Sequence, residues 1–556
     1  MRPLVVSLLM LSWSGLAGAQ PLPSFLNGND IERRLPSANL PVDAYRPNIP
    51  VMHVAPIAAG QPQALPLSSR FELRKVRFEG GTVFPLSDLR EHYRPLIGRM
   101  VTLSELVAFT QRLTQRYQQD GYLLSYAYLP PQDFADGRVR VVLVEGYIRD
   151  YQIEGDIGPA ATYLDTLMGK LKAERPLTRT TFERYTSLIN RIPGVSFAAH
   201  LAAPASADGA ARLVAQASRK PLSTAVQVGE GSRDDLQALI ALTSNGQTHF
   251  AEQLSASVLV PPGEDDSRYG RLDYGQYLDG EGSRLLLSAA RYRSEPSTRV
   301  RLDNGIDLSQ RHETDRYSVG ISQALIASPR QWLDVVGRFY VVKDRIDYQR
   351  AGSGLKSDSQ THLRALSFEG DWRQADPGRL RIVSAGVYQG LDYFGARTNA
   401  DYDLDFLRLR LSALQSDQWF DNWQGVASAA LSWSGDSLPE SERVVFGGQS
   451  FGRGYPSDQA WGDKGWGVAY ELNYSFKREG HWVNVLQPYV VLDAARTWFN
   501  EVDIREARLS SAALGVRLGD ARYYNVALEV AKPLSDIALD SLDRRPRMTL
   551  SFSWQL

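Results

Sequence analysis

Apolar and polar residues alternate strictly along several stretches between residue 222 and the end of the chain. In the last of them, Met548, Leu550, Phe552 and Trp554 alternate with threonine and serine. Successive side chains of a β-strand point to opposite faces, so this period predicts strands with one apolar and one polar face. Residues 222–556 have room for sixteen such strands at about 21 residues per strand and loop, of which a membrane-crossing strand needs ~9–11.

Two architectures use strands of this kind. In a membrane barrel the apolar face contacts lipid and the polar face lines a lumen, whereas in a soluble β-sandwich the apolar face is a dry core. Aromatic residues at strand ends, with glutamate and aspartate on the opposite face, favour the barrel. The stretches 470–476 and 366–372 have this composition. We therefore expect a mainly β protein in which residues 222–556 form a sixteen-stranded transmembrane β-barrel.

The pattern changes between residues 71 and 221, where strand-like and helix-like periods follow one another. Leu106, Phe109, Leu113 and Tyr117 recur at helical spacing and predict a helix from Leu103 to Gln119. Strands are predicted around it, at Phe71 to Glu79, Leu123 to Leu129 and Arg138 to Glu145.

The order of these elements, strand–helix–helix–strand–strand, occurs twice. Val76-Arg77-Phe78-Glu79-Gly80 returns as Tyr151-Gln152-Ile153-Glu154-Gly155, and Asp136-Gly137 returns as Asp208-Gly209. Self-similarity at a fixed spacing indicates two copies of one structural unit. The chain is therefore predicted to carry two small α+β domains, 71–146 and 147–221, each with two helices on one face of a sheet.

The first 70 residues have no such pattern. Residues 1–19 combine a basic start, an apolar run from Leu4 to Leu11 and the small residues Ala17-Gly18-Ala19, which is typical of a cleaved secretory signal peptide. Residues 20–70 contain nine prolines, so they favour an extended linker over a long helix. One short helix is predicted at 30–35, ending before Pro36.

The amino-acid composition argues against several classes of function. The 556 residues include 62 basic and 63 acidic residues, a balance that argues against nucleic acid as a partner. The absence of cysteine excludes disulfides, thiolate metal sites and a cysteine nucleophile. The seven histidines are dispersed, with no two within one helical turn, so no metal site and no cofactor are predicted.

One catalytic motif occurs. Gly448-Gln449-Ser450-Phe451-Gly452 fits the G-x-S-x-G elbow of serine hydrolases. That elbow requires a helix after the serine, and the following Arg453-Gly454-Tyr455-Pro456 is a poor helix start. No dinucleotide-binding, Walker or H-E-x-x-H sequence is present, so the protein is predicted not to be an enzyme.

Two repeated α+β units followed by a barrel resemble the two-partner secretion transporters of Gram-negative outer membranes, of the ShlB/FhaC/HecB haemolysin secretion/activation type, within the Omp85 superfamily. The repeats look like the polypeptide-transport-associated (POTRA) domains of that family. Its Arg-Gly-aromatic tripeptide is matched by Arg453-Gly454-Tyr455. The resemblance implies that this tripeptide lies in a lumen loop, about 435–465. It also implies that the arginine pairs with an aspartate of the thirteenth barrel strand, for which Asp493 is the candidate.

The resemblance further implies a function. The protein is expected to be an outer-membrane channel with periplasmic POTRA domains, which recognise an unfolded exoprotein by its N-terminal two-partner secretion domain. The predicted docking surface is the helix Leu103 to Gln119 with the strand Leu123 to Leu129, because an open sheet edge accepts an added strand. The short helix 30–35 is the candidate for a lumen plug. The protein is expected to be a monomer in outer-membrane lipid.

Two alternatives to the secretion channel stay open at this point. Other Omp85 relatives insert or assemble barrel proteins, but they usually carry a different number of repeats, often more than two. A passive solute porin would not need 150 residues of repeated periplasmic domains, which makes it the weakest alternative.

Overall fold

The computed structural model describes residues 68–555 with gaps at 135, 202–203, 205, 207, 231–235, 262–265, 296–299, 302–306, 351–355, 450, 458, 478–482, 501–505 and 521–522. The predicted signal peptide 1–19, the segment 20–67 and the helix predicted at 30–35 lie outside the described residues. Within the described residues, no helix is long and apolar enough to cross a membrane.

The first α+β unit is a three-stranded sheet packed against two helices. It consists of β1 (Arg70–Glu72), β2 (Lys75–Glu79), α1 (Leu86–Tyr93), β3 (Met100–Thr102), α2 (Leu103–Gln119), β4 (Tyr126–Tyr128) and β5 (Arg138–Val144). The sheet order is β2–β5–β4, with β2 parallel and β4 antiparallel to β5. The helical face predicted for α2 is buried in the core of this unit.

The second α+β unit repeats this arrangement. It consists of β6 (Tyr147–Glu154), α3 (Ala161–Ala173), α4 (Arg179–Ile189), β7 (Val195–Leu201) and β8 (Ala210–Arg219). Its sheet order is β6–β8–β7, again with one parallel and one antiparallel pair. The internal repeat read from the sequence therefore corresponds to two copies of one topology.

The strand predicted at Leu123 to Leu129 is shorter than expected. Only β4, Tyr126–Tyr128, is extended, because residues 121–125 turn sharply and the Ser125 N–H donates to the Tyr122 carbonyl at 3.2 Å. The second unit holds this turn, since the Arg179 N–H donates to the Gly121 carbonyl at 2.7 Å. A contact between units leaves no periodic signal, so sequence patterning placed too many residues in the strand.

The rest of the chain closes into a sixteen-stranded barrel, as predicted. The first strand pairs with the last in antiparallel register. The barrel strands in the first half are β9 (Leu222–Glu230), β10 (Leu236–Asn245), β11 (Gln253–Val260), β12 (Arg268–Tyr277), β13 (Arg284–Ser294), the short β14 (Val300–Arg301), β15 (Asp307–Ala327), β16 (Gln331–Arg350), β17 (Lys356–Asp376), β18 (Arg379–Gly390) and the short β19 (Arg397–Thr398).

The second half carries the loop that folds inward. Its elements are β20 (Leu407–Gln418), β21 (Trp423–Ser434), the loop strands β22 (Val444–Phe446) and β23 (Ala460–Gly462), β24 (Lys464–Tyr474), the short β25 (Phe476–Lys477), β26 (Val485–Trp498), β27 (Ala507–Gly519), β28 (Tyr524–Pro533) and β29 (Arg547–Gln555). The pairs formed by the short strands β14, β19 and β25 extend the ladder beside their neighbours.

The barrel is apolar outside and polar inside. Along β26 to β29, Leu492, Leu514 and Leu550 are exposed, whereas the alternating Asp493 and Ser511 are buried. A soluble sandwich would bury the apolar set, so this arrangement excludes the sandwich alternative. The exposed apolar face instead suits contact with lipid.

The second α+β unit packs directly onto the turns at one end of the barrel. Tyr163 of α3 stacks on Tyr277 with ring centroids 4.4 Å apart. Arg191 donates to both carboxylate oxygens of Asp334, at 2.8 and 2.5 Å. Lys170 lies 2.9 Å from Glu281 in the turn between β12 and β13. These contacts identify the turn end of the barrel as the end that faces the two α+β units.

Candidate functional site: the lumen loop

The loop between β21 and β24 is a hairpin that lies inside the barrel. Its strands β22 and β23 pair in antiparallel register, and a single turn of 3-10 helix, Glu440–Glu442, precedes them. Its apolar side chains Phe446, Phe451 and Tyr455 are buried in one cluster with residues of β26 and β27. The loop therefore has a base near Glu442 and a tip near Arg453, and each contacts a different part of the lumen wall.

Asp493, on the thirteenth barrel strand β26, holds the backbone of the loop tip. One of its carboxylate oxygens accepts from the Gly452 N–H at 2.8 Å and from the Ser511 hydroxyl at 2.7 Å. The other accepts from the Arg453 N–H at 3.2 Å. Consecutive backbone donors on one buried carboxylate fix the position of the tip.

The Arg453 side chain points elsewhere. Its guanidinium donates to Glu529 of β28 at 2.5 Å and lies 3.5 Å from Glu471 of β24. Glu471 in turn accepts two bonds from Arg517, at 2.5 and 2.8 Å. Two arginines and two glutamates thus form one buried charge network, in which Arg453 is 8% exposed.

The predicted pairing of the Arg453 guanidinium with Asp493 is therefore wrong in its geometry. The structure does bring the two residues together, but Asp493 contacts the peptide group and Glu529 contacts the side chain. Sequence reasoning missed Glu471, although a charge on the inner face of an alternating strand marks it as a lumen residue. Glu529 and Arg517 carry the same signal, but only the barrel closure shows which lumen charges meet.

Gly454 and Tyr455 complete the tip. A Cβ at Gly454 would lie 2.6 Å from the Pro533 backbone nitrogen, so only glycine allows the loop to approach β28 this closely. The fully buried Tyr455 donates to the Ser510 carbonyl at 3.3 Å and accepts from the Ser535 N–H at 3.2 Å. Each residue of the tripeptide thus has a separate contact with the wall.

The base of the loop has a second set of contacts, which the sequence did not reveal. Glu442 is fully buried and pairs with Arg408 of β20 at 2.7 Å. It also accepts from the Tyr340 hydroxyl at 3.1 Å and lies 3.6 Å from Arg316. The base contacts β15, β16 and β20, and the tip contacts β24, β26, β27 and β28, so the loop bridges two arcs of the wall.

The predicted docking surface on the first unit is partly closed. The exposed face of α2 is available, but the edge of β4 is not, because the Thr114 hydroxyl of α2 accepts from the Ala127 N–H at 3.0 Å and lies 3.4 Å from its carbonyl. Ser125 is buried and its hydroxyl accepts from the Gly146 N–H. The expectation of an open edge over Leu123 to Leu129 is therefore wrong.

The candidate hydrolase motif lies at the loop tip, with Ser450 itself outside the described residues. Gly447 and Phe451 form an isolated antiparallel bridge. The described residues after Phe451 form turns rather than a helix. The strand–serine–helix context that a nucleophile elbow requires is absent from this part of the described chain.

These features together define the fold class: a closed barrel with an apolar exterior, a hairpin bonded inside its lumen and two α+β units packed at one end. Two solved structures share the fold. CdiB from Escherichia coli has a TM-score of 0.70 at 18% identity, over 96% of this chain and 97% of that one. BamA from Haemophilus ducreyi lacking POTRA domains 1–3 has a TM-score of 0.50 at 13% identity, over 87% and 100%.

Sequence comparison identifies the protein families that this chain resembles. Residues 71–146 match the POTRA domain of ShlB type, and residues 283–518 match the haemolysin secretion/activation protein ShlB/FhaC/HecB family. The heme/hemopexin transporter protein HuxB of Haemophilus influenzae is 21% identical over 466 residues, 81% of this chain and 80% of that protein. The outer membrane transporter CdiB of Escherichia coli is 21% identical over 435 residues, 73% and 69%.

Over residues 71–146 and 283–518 the chain thus resembles the two-partner secretion transporters of the ShlB/FhaC/HecB family. It is an outer-membrane protein whose POTRA domains face the periplasm, and it secretes a partner exoprotein. This reading fits the comparisons better than a barrel-assembly factor does.

Proposed function

We propose that this transporter captures an extended segment of its exoprotein on the first α+β unit, and that the exoprotein crosses the barrel after the lumen loop has moved. The position of the lumen loop supports the proposal that the loop moves before the exoprotein crosses the barrel. The loop bonds to β20 at its base and to β26 and β28 at its tip. A polypeptide in transit needs the space that the loop fills, so the loop contacts must open during secretion.

The open edge of the first unit is β2 rather than β4. The Lys75 N–H donates to the Gly137 carbonyl at 3.2 Å, so the backbone groups of Lys75, Arg77 and Glu79 point towards β5. Those of Val76 and Phe78 point outwards, and within the described residues β2 has β5 as its sole strand neighbour. Unpaired N–H and C=O groups of this kind accept an added strand.

The exposed face of α2, which lies beside β4 at the other edge of this sheet, offers a second, polar surface. Gln111 and Arg112 of α2 are exposed, whereas its Leu106 and Phe109 are buried in the core. We therefore place the exoprotein segment on the first unit, with β2 supplying backbone hydrogen bonds and α2 supplying polar side chains.

The absence of cysteine makes this surface testable by crosslinking. Single cysteines are placed at Arg77→Cys on β2 and Arg112→Cys on α2, with Ala173→Cys on α3 as the matched control. Each variant is combined with single cysteines along the N-terminal secretion domain of the partner exoprotein. Disulfides to Arg77→Cys and Arg112→Cys are expected, with a regular two-residue period along the partner at Arg77→Cys. Crosslinks at Ala173→Cys alone would contradict the assignment.

Removing the unit tests the same proposal in cells. Deletion of residues 71–146 should stop secretion while the barrel still reaches the outer membrane, because the barrel closes through its own strands. Normal secretion by this deletion would overturn docking on the first unit.

A further inference from the structure

Three possible metal ligands meet where the base of the lumen loop contacts the barrel wall. His312 lies on β15, Asp344 on β16 and Glu440 at the start of the 3-10 turn in the loop. One ligand atom from each lies within 4.8 Å of those of the other two. The site is about 33 Å along β16 from Asp334, the residue that contacts the second α+β unit. It therefore occupies the half of the barrel that is remote from the periplasmic units.

The two wall residues are held in place by a third. The His312 Nε2 atom lies 2.7 Å from an Asp344 oxygen, and the Thr314 hydroxyl donates to the same oxygen at 2.6 Å. Thr314 and Asp344 are buried, and the His312 ring packs edge-on against Tyr292 at 6.1 Å. A hydrogen bond to a ligating carboxylate and packing of a ligating imidazole are the outer contacts that metal sites use to orient their ligands.

The loop residue brings a second negative charge with no partner of its own. Glu440 is half-buried, and its carboxylate makes no hydrogen bond or ion pair with any described residue. Arg443, whose backbone N–H donates to the Glu440 carbonyl at 3.3 Å, directs its side chain elsewhere, to Asp463 at 3.4 Å. Two carboxylates and one imidazole thus share a poorly solvated site, where an unneutralised charge is costly.

We propose that His312, Asp344 and Glu440 bind a divalent transition-metal ion, with zinc as the probe, and that this ion fastens the base of the lumen loop to the barrel wall. One imidazole nitrogen and two carboxylate oxygens form a mixed donor set that first-row divalent ions accept, and water can fill the fourth position. The ion neutralises both carboxylates. Because His312 and Asp344 belong to the wall and Glu440 to the loop, metal binding connects two elements that separate if the loop moves.

The experiment measures metal binding itself and does not depend on secretion. Untagged protein in detergent is stripped with EDTA, dialysed and titrated with zinc by calorimetry, and the bound metal is counted by elemental mass spectrometry. The absence of cysteine removes thiolate sites as competitors. The variants are His312→Ala, Glu440→Gln and Thr314→Val, and His249→Ala is the matched control because His249 lies in a turn at the periplasmic end.

One equivalent of zinc is expected for the native protein and for His249→Ala. His312→Ala and Glu440→Gln should lose it, and Thr314→Val, which removes only the hydroxyl that orients Asp344, should weaken binding by about 10–100-fold. Heat-modifiable migration verifies that each barrel is folded, and Glu440→Gln changes no barrel strand. The proposal is overturned if the native protein binds no stoichiometric zinc, or if binding persists unchanged in Glu440→Gln. The native protein and His312→Ala are also titrated with calcium. Equal calcium binding by the two proteins would overturn the proposal, since the imidazole would then have no part in the site.

Discussion

At the scale of single residues, the tip of the lumen loop is held by three contacts of different chemistry. Asp493 binds backbone N–H groups, Arg453 pairs with Glu529, and Tyr455 exchanges hydrogen bonds with backbone groups of the wall. All three side chains are buried, so each contact is largely shielded from water. Removing one partner of a buried ion pair typically costs about 3–5 kcal/mol, because the other charge stays behind unpaired.

Arg453→Ala should therefore release the loop tip without unfolding the barrel. The expected result is a sharp loss of secretion and a higher conductance in planar bilayers, at unchanged outer-membrane levels and heat-modifiable migration. Arg453→Lys should fail in part, because one ammonium cannot reproduce the planar fork that faces both Glu529 and Glu471.

Double variants distinguish the role of the Glu529 carboxylate from that of the Asp493 carboxylate. Arg453→Ala with Glu529→Gln should be less damaging than the sum of the two single changes, since both members of one pair are removed. Arg453→Ala with Asp493→Asn should be close to additive, because alanine retains the N–H that Asp493 accepts. Strong coupling of Arg453 to Asp493, with none to Glu529, would show that the guanidinium pairs with Asp493 in the membrane.

Gly454→Ala should displace the loop tip through backbone contact alone. Its Cβ would meet the Pro533 nitrogen at 2.6 Å and the Lys532 carbonyl carbon at 2.8 Å, and backbone cannot yield as a side chain can. We expect lower secretion and higher conductance, measured as for Arg453→Ala. Gly435→Ala in the same loop is the matched control, since its nearest neighbour would be 3.9 Å away. Equal secretion by the two variants would show that the close approach is not needed.

At the scale of elements, one carboxylate links the start and the end of the first α+β unit. Glu145, just after β5, accepts from the Thr82 N–H at 2.6 Å, the Thr82 hydroxyl at 2.7 Å, the Val83 N–H at 2.8 Å and the Tyr117 hydroxyl at 3.1 Å. Partial burial acts to raise the pKa of Glu145, but these hydrogen bonds outweigh it and hold the pKa below its ordinary value. The same burial, with the adjacent carboxylate, raises the pKa of Tyr117.

The depressed pKa of Glu145 predicts a loss of stability in acid. A carboxylate with a lower pKa when folded stabilises the fold above its unfolded value, 4.5, and this contribution is lost as the pH falls through the folded pKa. Hydrogen exchange at residues 80–84, measured relative to the intrinsic exchange rate at each pH, should therefore accelerate below pH 4.5. Glu145→Gln should accelerate it at neutral pH, by about 1–2 kcal/mol of lost protection, and should flatten the pH dependence. A Glu145→Gln profile as steep as that of the native protein would assign the acid sensitivity to another group.

At the scale of the whole molecule, the second α+β unit and the barrel turns share one core. Ala251, Tyr277, Ala324 and Ala327 of the barrel are buried in the hydrophobic cluster of that unit. Ion pairs from Lys170 and Arg191 surround the apolar contact. Because this apolar contact is buried and flanked by ion pairs, we expect the second unit to stay on the barrel during secretion.

A disulfide across this interface tests whether the second unit moves. A Cβ at Gly280 would lie 3.1 Å from the Thr166 Cγ2 atom, so Gly280→Cys with Thr166→Cys has the spacing that a disulfide needs. We expect the oxidised double variant to secrete as well as each single variant. Loss of secretion on oxidation, with recovery on reduction, would show that the second unit must leave the barrel during transport.

The sequence by itself determined the elements and their order. Two-residue alternation specifies which face of each barrel strand is apolar, and helical spacing specifies the buried face of α2, because both are periods of local backbone geometry. The repeated motifs predict two similar structural units without any knowledge of tertiary contacts. Family resemblance pointed to the tripeptide at Arg453 and to Asp493, and the Asp493 carboxylate accepts from the Arg453 backbone N–H rather than from its side chain.

Tertiary structure alone decided which residues meet. Barrel closure and the path of the loop bring Arg453 to Glu529. The same loop path brings Glu440 to His312 and Asp344, which lie on paired strands. In both cases the residues are far apart in the chain. Histidine spacing along the chain carries no sign of the cluster around His312, because its three residues lie on three separate elements. The capping of β4 by Thr114 and the turn held by Arg179 were equally hidden. Hydrophobic periodicity reflects the local secondary structure of a segment. These contacts instead depend on how segments that are distant in the chain pack against one another.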